Sequence, residues 1–126
     1  MPVSFDYATI RVVPRVERQE FINAGVVVLC LEKNFLAARV HLNEARLKVL
    51  WPETDVALVR KHLEAIIKIC DGEADGGPVA RLSKRERFHW LISPRSTIIQ
   101  PSPVHTGLCE DTSDLPDRLA RQILDL

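Results

Sequence analysis

The chain has no cysteine pair at ligand spacing, no net charge, no long apolar run and no glycine-rich nucleotide signature. Each absence removes a class of function. Cys30, Cys70 and Cys109 stand far apart with no CxxC among them, which excludes a zinc ribbon or a dithiol redox motif. Cys30 lies in an apolar run and Cys70 on a helix face, so both read as buried, reduced thiols. Lys+Arg and Asp+Glu number 17 each, so no global field recruits nucleic acid or an anionic membrane. The longest apolar stretch, Ala24 to Leu31, is far too short for a membrane span, and no secretory leader is read. A reducing cytoplasm is the expected compartment. There is no phosphate-loop pattern and no GxGxxG, nor any GxSxG elbow, HExxH pair or Cys–His arrangement.

What is there is globular. With 126 residues, 46% hydrophobic and 27% charged, the chain reads as a single domain, 1–126, able to bury its own core. Its charge is unevenly placed. Arg81 to Arg95 carries Arg81, Lys84, Arg85, Arg87 and Arg95 against Glu86, a net +4. From Cys109 onward Glu110, Asp111, Asp114, Asp117 and Asp125 oppose Arg118 and Arg121, a net −3.

Phe5 to Val13 alternates, with Ala8, Ile10 and Val12 on one face and Tyr7, Thr9 and Arg11 on the other, predicting a strand with one polar face. Pro14 ends it, and Arg15 to Asn23 reads as a charged connection. Val26 to Leu31 suits a central strand covered on both faces. Phe35 to Leu42 follows the short turn Glu32-Lys33-Asn34, making a hairpin. Asn43 caps a short helix to Leu50. Thr54 or Asp55 opens the clearest helix, with Val56, Val59, Leu63, Ile66 and Cys70 at helical spacing and Gly72 as its stop. Ser83 to Glu86 has capping-box spacing, predicting a helix over Lys84 to Ile92. Ser96 to Gln100 returns as a strand, Pro101 to Gly107 extends or turns, and Leu115 to Leu124 is a last helix. This order predicts the α+β class: a mainly antiparallel sheet of about four strands with helices packed on one side.

Functional groups crowd into one region. Arg85-Glu86-Arg87-Phe88-His89-Trp90 runs through Pro94-Arg95-Ser96 to Gln100-Pro101-Ser102-Pro103-Val104-His105-Thr106-Gly107. It is rich in donors and stiffened by proline. Planar guanidinium forks suit carboxylate or phosphate. Arg95, directed by Pro94 and joined by Arg11 and Arg15, is the expected anion holder; Arg87 faces away from Arg85 on a short helix and forms no clamp with it. His105, in a turn, is the candidate catalytic acid or base, whereas His89, between Phe88 and Trp90, equally reads as a half-buried ring. Gln100 and Ser102 among prolines suit ligand or peptide recognition. Glu17, Glu20 and Asn23 fall three apart and share a face if helical. With a His they could bind a divalent metal, but without a third acid the pattern more simply reads as a charged turn of helix paired with nearby arginines. Gly25 reads as a bulge or a close backbone approach. His41 and His62 read as surface residues.

Three phrases, Arg11-Val-Val-Pro-Arg15-Val-Glu17-Arg-Gln-Glu20-Phe-Ile-Asn23-Ala-Gly25-Val, Arg85 to Trp90, and Pro94 to Gly107, together resemble the bacterial domain-of-unknown-function family DUF3037 over nearly the whole chain. The resemblance implies a bacterial protein and supplies no catalytic residues. It also implies a HipA-like kinase as partner, because such kinase genes often neighbour those of the family.

The first functional expectation is a non-enzymatic regulatory or adaptor domain. It would hold a protein partner or a small anionic ligand through the Arg11–Asn23 and Arg95–His105 segments, without a cofactor. The alternative is a small phosphoester-directed enzyme, nuclease- or phosphodiesterase-like: Arg95 and Arg15 hold the phosphate, His105 moves the proton, and Glu17 or Glu20 assists or binds a metal. That enzyme needs His105, an arginine and a carboxylate in one concavity. In a third reading the polar residues form a buried network that holds the fold. A domain this small also leaves room for a homodimer.

Overall fold

The computed structural model describes residues 1–124, so Asp125 of the acidic segment lies outside the described residues. The strands are β1 (Val3–Val12), β2 (Ile22–Cys30), β3 (Phe35–Val40), β4 (Ile99–Pro101) and β5 (His105–Cys109). The helices are α1 (Glu44–Leu50), α2 (Val56–Asp71), α3 (Lys84–Leu91) and α4 (Leu115–Ile123). All strand pairs are antiparallel, and the order is β3-β2-β1-β4 with β5 also paired to β1. The fold is α+β, as the order of elements predicts.

β1 is long enough to carry two short partners on one edge. β5 lies opposite Val3 to Tyr7, and β4 lies opposite Ile10 to Val12. Between them Pro101 and Pro103 interrupt the ladder, and buried Ser102 repairs it. Its backbone N–H donates to Thr9 O at 2.8 Å, and its Oγ accepts from Thr9 N at 2.8 Å. A buried strand N–H left unpaired is costly, so the hydroxyl substitutes for a strand carbonyl.

The β-branched run of β2 is apolar on both faces and must be covered on both. Val27 and Leu29 join Ile10, Val12 and α1 to α3 in the larger core, around Leu47, Val59, Leu63 and Phe88. Val26, Val28 and Cys30 join Val3, Phe5 and α4 in a second core, with Leu115, Leu119 and Leu124. Three helices therefore lie on one side as expected, and α4 takes the opposite face. A bulge on β2, where Ala24 is the extra residue between the pairs Ile10–Gly25 and Arg11–Asn23, resets the alternation. It lets Ile22 and Ala24 face the same core as Val27 and Leu29. Gly25 suits the close approach there, because a Cβ would stand a tight 3.2 Å from Arg39 O and from Ile10 Cβ.

Helix ends follow the sequence signals. Asn43 accepts from Arg46 N, Asp55 accepts from Leu58 N, and Ser83 with Glu86 forms the capping box. Gly72 stops α2 at φ 70°, the left-handed conformation glycine adopts without penalty. β5 departs from the expected turn. It is an edge strand whose His105, Thr106 and Leu108 are all exposed, so no buried alternation marks it. No helix among the described residues is long and apolar enough to cross a membrane.

Candidate anion-binding cleft

Where β1 leaves the cover of α4, its outer face turns polar. α4 packs over Val3, Phe5 and Tyr7, and the same face at Arg11 carries no helix. The chain from Pro14 to Phe21 folds back there, through a single 3-10 turn over Val16–Arg18 that ends at Gln19. Gln19 holds φ 57°, a left-handed conformation uncommon for a residue with a side chain. The result is a cleft of about 220 Å³ between that turn and the strand pair β1/β4. Arg11, Arg95, Ser96, Gln100 and Gln19 supply its polar lining, over Val13, Val16 and Phe21.

The two arginines are held on aromatic rings. Arg11 lies 4.3 Å over Phe21, and Arg95 lies 4.3 Å over Trp90. Stacking fixes the plane of each fork and leaves its edge for hydrogen bonding. Arg95 spends one terminal nitrogen on Trp90 O; burial lowers its pKa below the ordinary value. Arg11 Nε is buried and has no hydrogen-bond partner among the described residues. Gln100 donates through Nε2 to Thr97 O at 2.8 Å, which braces β4 and leaves its second amide hydrogen unspent.

Several other arginines are each paired with an acid. Arg15 meets Glu17, Arg18 meets Glu20, Arg39 meets Asp117, Arg60 meets Glu44 and Arg118 meets Asp114. Arg11 and Arg95 are half-buried, line one cleft together, and have no carboxylate partner among the described residues. Two half-buried cations lining one cleft are unfavourable until an anion joins them.

A model of the family described as Protein of unknown function (DUF3037) matches residues 7–124. The chain belongs to DUF3037. No curated protein and no solved structure matches this DUF3037 chain.

The cleft gathers three of the residues singled out from sequence, Arg11, Arg95 and Gln100, and leaves the others elsewhere. Arg15 is turned away: its guanidinium lies 4.3 Å over Trp51, and Nε reaches Glu17 at 2.6 Å. Glu17 and Glu20 are exposed ion-pair partners, and Asn23 stands in β2 rather than on a helical face with them. Glu17 is held below the usual carboxylate range by its backbone hydrogen bond first and by Arg15 second. Among the described residues no group of three His, Cys, Asp or Glu could hold a metal ion. Ser102 is inside the sheet. His89 is exposed on α3, where its carbonyl receives Ser93 Oγ.

Arg87 is only 7% exposed. Its Nη1 donates to Ile69 O at 2.8 Å and to Cys70 O at 2.9 Å, capping the end of α2. His105 is exposed on β5 with its ring 5.4 Å from Tyr7. It pairs with Tyr7 while Gln100 pairs with Arg11, four residues further along β1, or roughly 13 Å at the usual rise.

Sequence reasoning missed Gln19, Phe21 and Ser96 as lining residues. Phe21 offers a signal in hindsight: a large aromatic side chain, 42% exposed, just outside a strand. His62, read as a plain surface residue, lines a separate apolar groove beside Trp90.

Proposed function

We propose that this protein is an anion-binding regulatory module, with the cleft between Arg11 and Arg95 as its binding site. One observation carries the reading: two half-buried guanidiniums, each fixed on an aromatic ring, line one concavity without a carboxylate among the described residues. Planar forks so placed fit a carboxylate or a phosphate, which supplies the missing charge. No imidazole or carboxylate lines the cleft, so the lining supports binding over phosphoester transfer. The regulatory role belongs to the same proposal. Occupancy would neutralise a surface flanked by exposed Trp90 and Phe21, where a protein partner, a HipA-like kinase by family gene neighbourhood, would read the change.

Thermal unfolding in sodium phosphate against sodium chloride, at matched ionic strength, tests the site. A ligand at a hundred times its Kd stabilises by about 2.7 kcal/mol, a rise of several degrees for a chain of this size. The wild type should show that rise. Arg95→Ala and Arg11→Leu should fold and show none. Arg11→Leu should also exceed wild type in chloride by about 0.5–1 kcal/mol, because it removes a half-buried charge that has no counter-ion. An equal phosphate response in all three proteins would sink the cleft as an anion site.

A further inference from the structure

Arg95 lines a second concavity as well as the polar cleft. On its other side lies a groove of about 260 Å³ walled by Ala65, Ile66 and Ile69 of α2, with Trp90, Ile98 and Ile99 opposite. The groove is apolar apart from Arg95 itself, His62 and Thr97 at its margin, and Thr97 Oγ1 is already spent on Ile99 O at 2.9 Å. Trp90 is 43% exposed although its ring meets the Arg95 guanidinium. A polar cleft with two unneutralised cations and an apolar groove therefore meet at one side chain, Arg95.

We propose that the ligand is a small amphiphilic monoanion, a free carboxylic acid with a short apolar body. Its head would lie between Arg11 and Arg95, and its body along Trp90, Ile66 and Ile99. This rests on the anion-binding reading of the cleft and adds the half of the ligand that reading leaves open. Charge complementarity orients the molecule: the head goes to Arg95, where Arg11 adds a second cation, and the body to the apolar walls of Ile66, Ile69 and Ile99. The size of the two spaces, 220 and 260 Å³, suits a small molecule more than a macromolecular surface.

Acetate, butanoate and hexanoate, with hexanol and inorganic phosphate as controls, can be titrated into the protein and followed by NMR shifts of the Trp90 indole N–H and the surrounding amides. Burial of each methylene should tighten binding roughly three- to four-fold, and hexanol should bind far more weakly than hexanoate. Ala65 is exposed on α2, and Ala65→Leu fills the groove without touching the arginines or the core. In that variant the chain-length dependence should vanish while phosphate still binds. Phosphate binding with no gain along the acid series would overturn this inference and leave the anion site standing. If none of the anions binds, both proposals fall. Adenosine monophosphate, or a peptide with a free apolar C-terminal residue, binding more tightly than hexanoate would overturn the assignment to a free acid.

Discussion

Arg87 and Arg11 each carry a guanidinium Nε with no hydrogen-bond partner among the described residues, yet their surroundings give them opposite roles. Arg87 points into the protein and finds the carbonyls of Ile69 and Cys70 at the end of α2, where the helix dipole is negative. Arg11 finds the face of Phe21 and an open cleft. Arg87→Met should therefore cost about 2–3 kcal/mol, since it removes charge-assisted bonds and strands the Cys70 carbonyl. Its exposed neighbour supplies the control: Arg85→Ala should stay within about 0.5 kcal/mol of wild type. Urea midpoints at unchanged m-value measure both. The local sequence puts Arg87 on a short helix and Arg95 after Pro94, but it does not say which of the two is buried. The difference is whether α2 carbonyls or empty space lies at the end of the side chain.

Among the elements, the broken edge β4–β5 was the least legible. The prolines at 101 and 103 announce an interruption, and the segment read as extended or turning is extended again from His105, as β5. Ser102 then looks like a site residue among prolines, whereas the register places it opposite Thr9, inside the sheet. Ser102→Ala should cost about 1–3 kcal/mol, the penalty of leaving the buried Thr9 N–H without an acceptor. The loss should appear as faster hydrogen exchange at Thr9 and a lower urea midpoint. The 3-10 turn before β2 shows the converse. A helix there would align Glu17, Glu20 and Asn23 on one face, but one turn cannot persist once Gln19 adopts a left-handed conformation and β2 begins at Ile22.

At the scale of the molecule, covering both sides of the sheet puts Cys70 in a dry core beside Phe88 and Leu91. Desolvation, helped by Asp71 and opposed by Arg87, pushes its thiol from 9.0 to about 12. The unfolded chain ionises this thiol near 9, and the folded protein keeps its proton until about 12. Its contribution to stability is thus whole below pH 9 and lost as pH rises from 9 towards 12. Urea midpoints between pH 8 and 11 should fall more steeply for wild type than for Cys70→Ala. By itself the sequence determined the α+β class, the helix caps and the apolar stripes, because those depend on neighbours within one turn or one strand. The doubly apolar run of β2 likewise announced two covered faces. Only the tertiary structure decided which element covers each face and which polar residues meet. It put Arg11 and Gln100, 89 positions apart, side by side through strand pairing, and set His105 four residues along β1. Assembly of the cleft depends on register and burial, long-range properties that no window of residues contains.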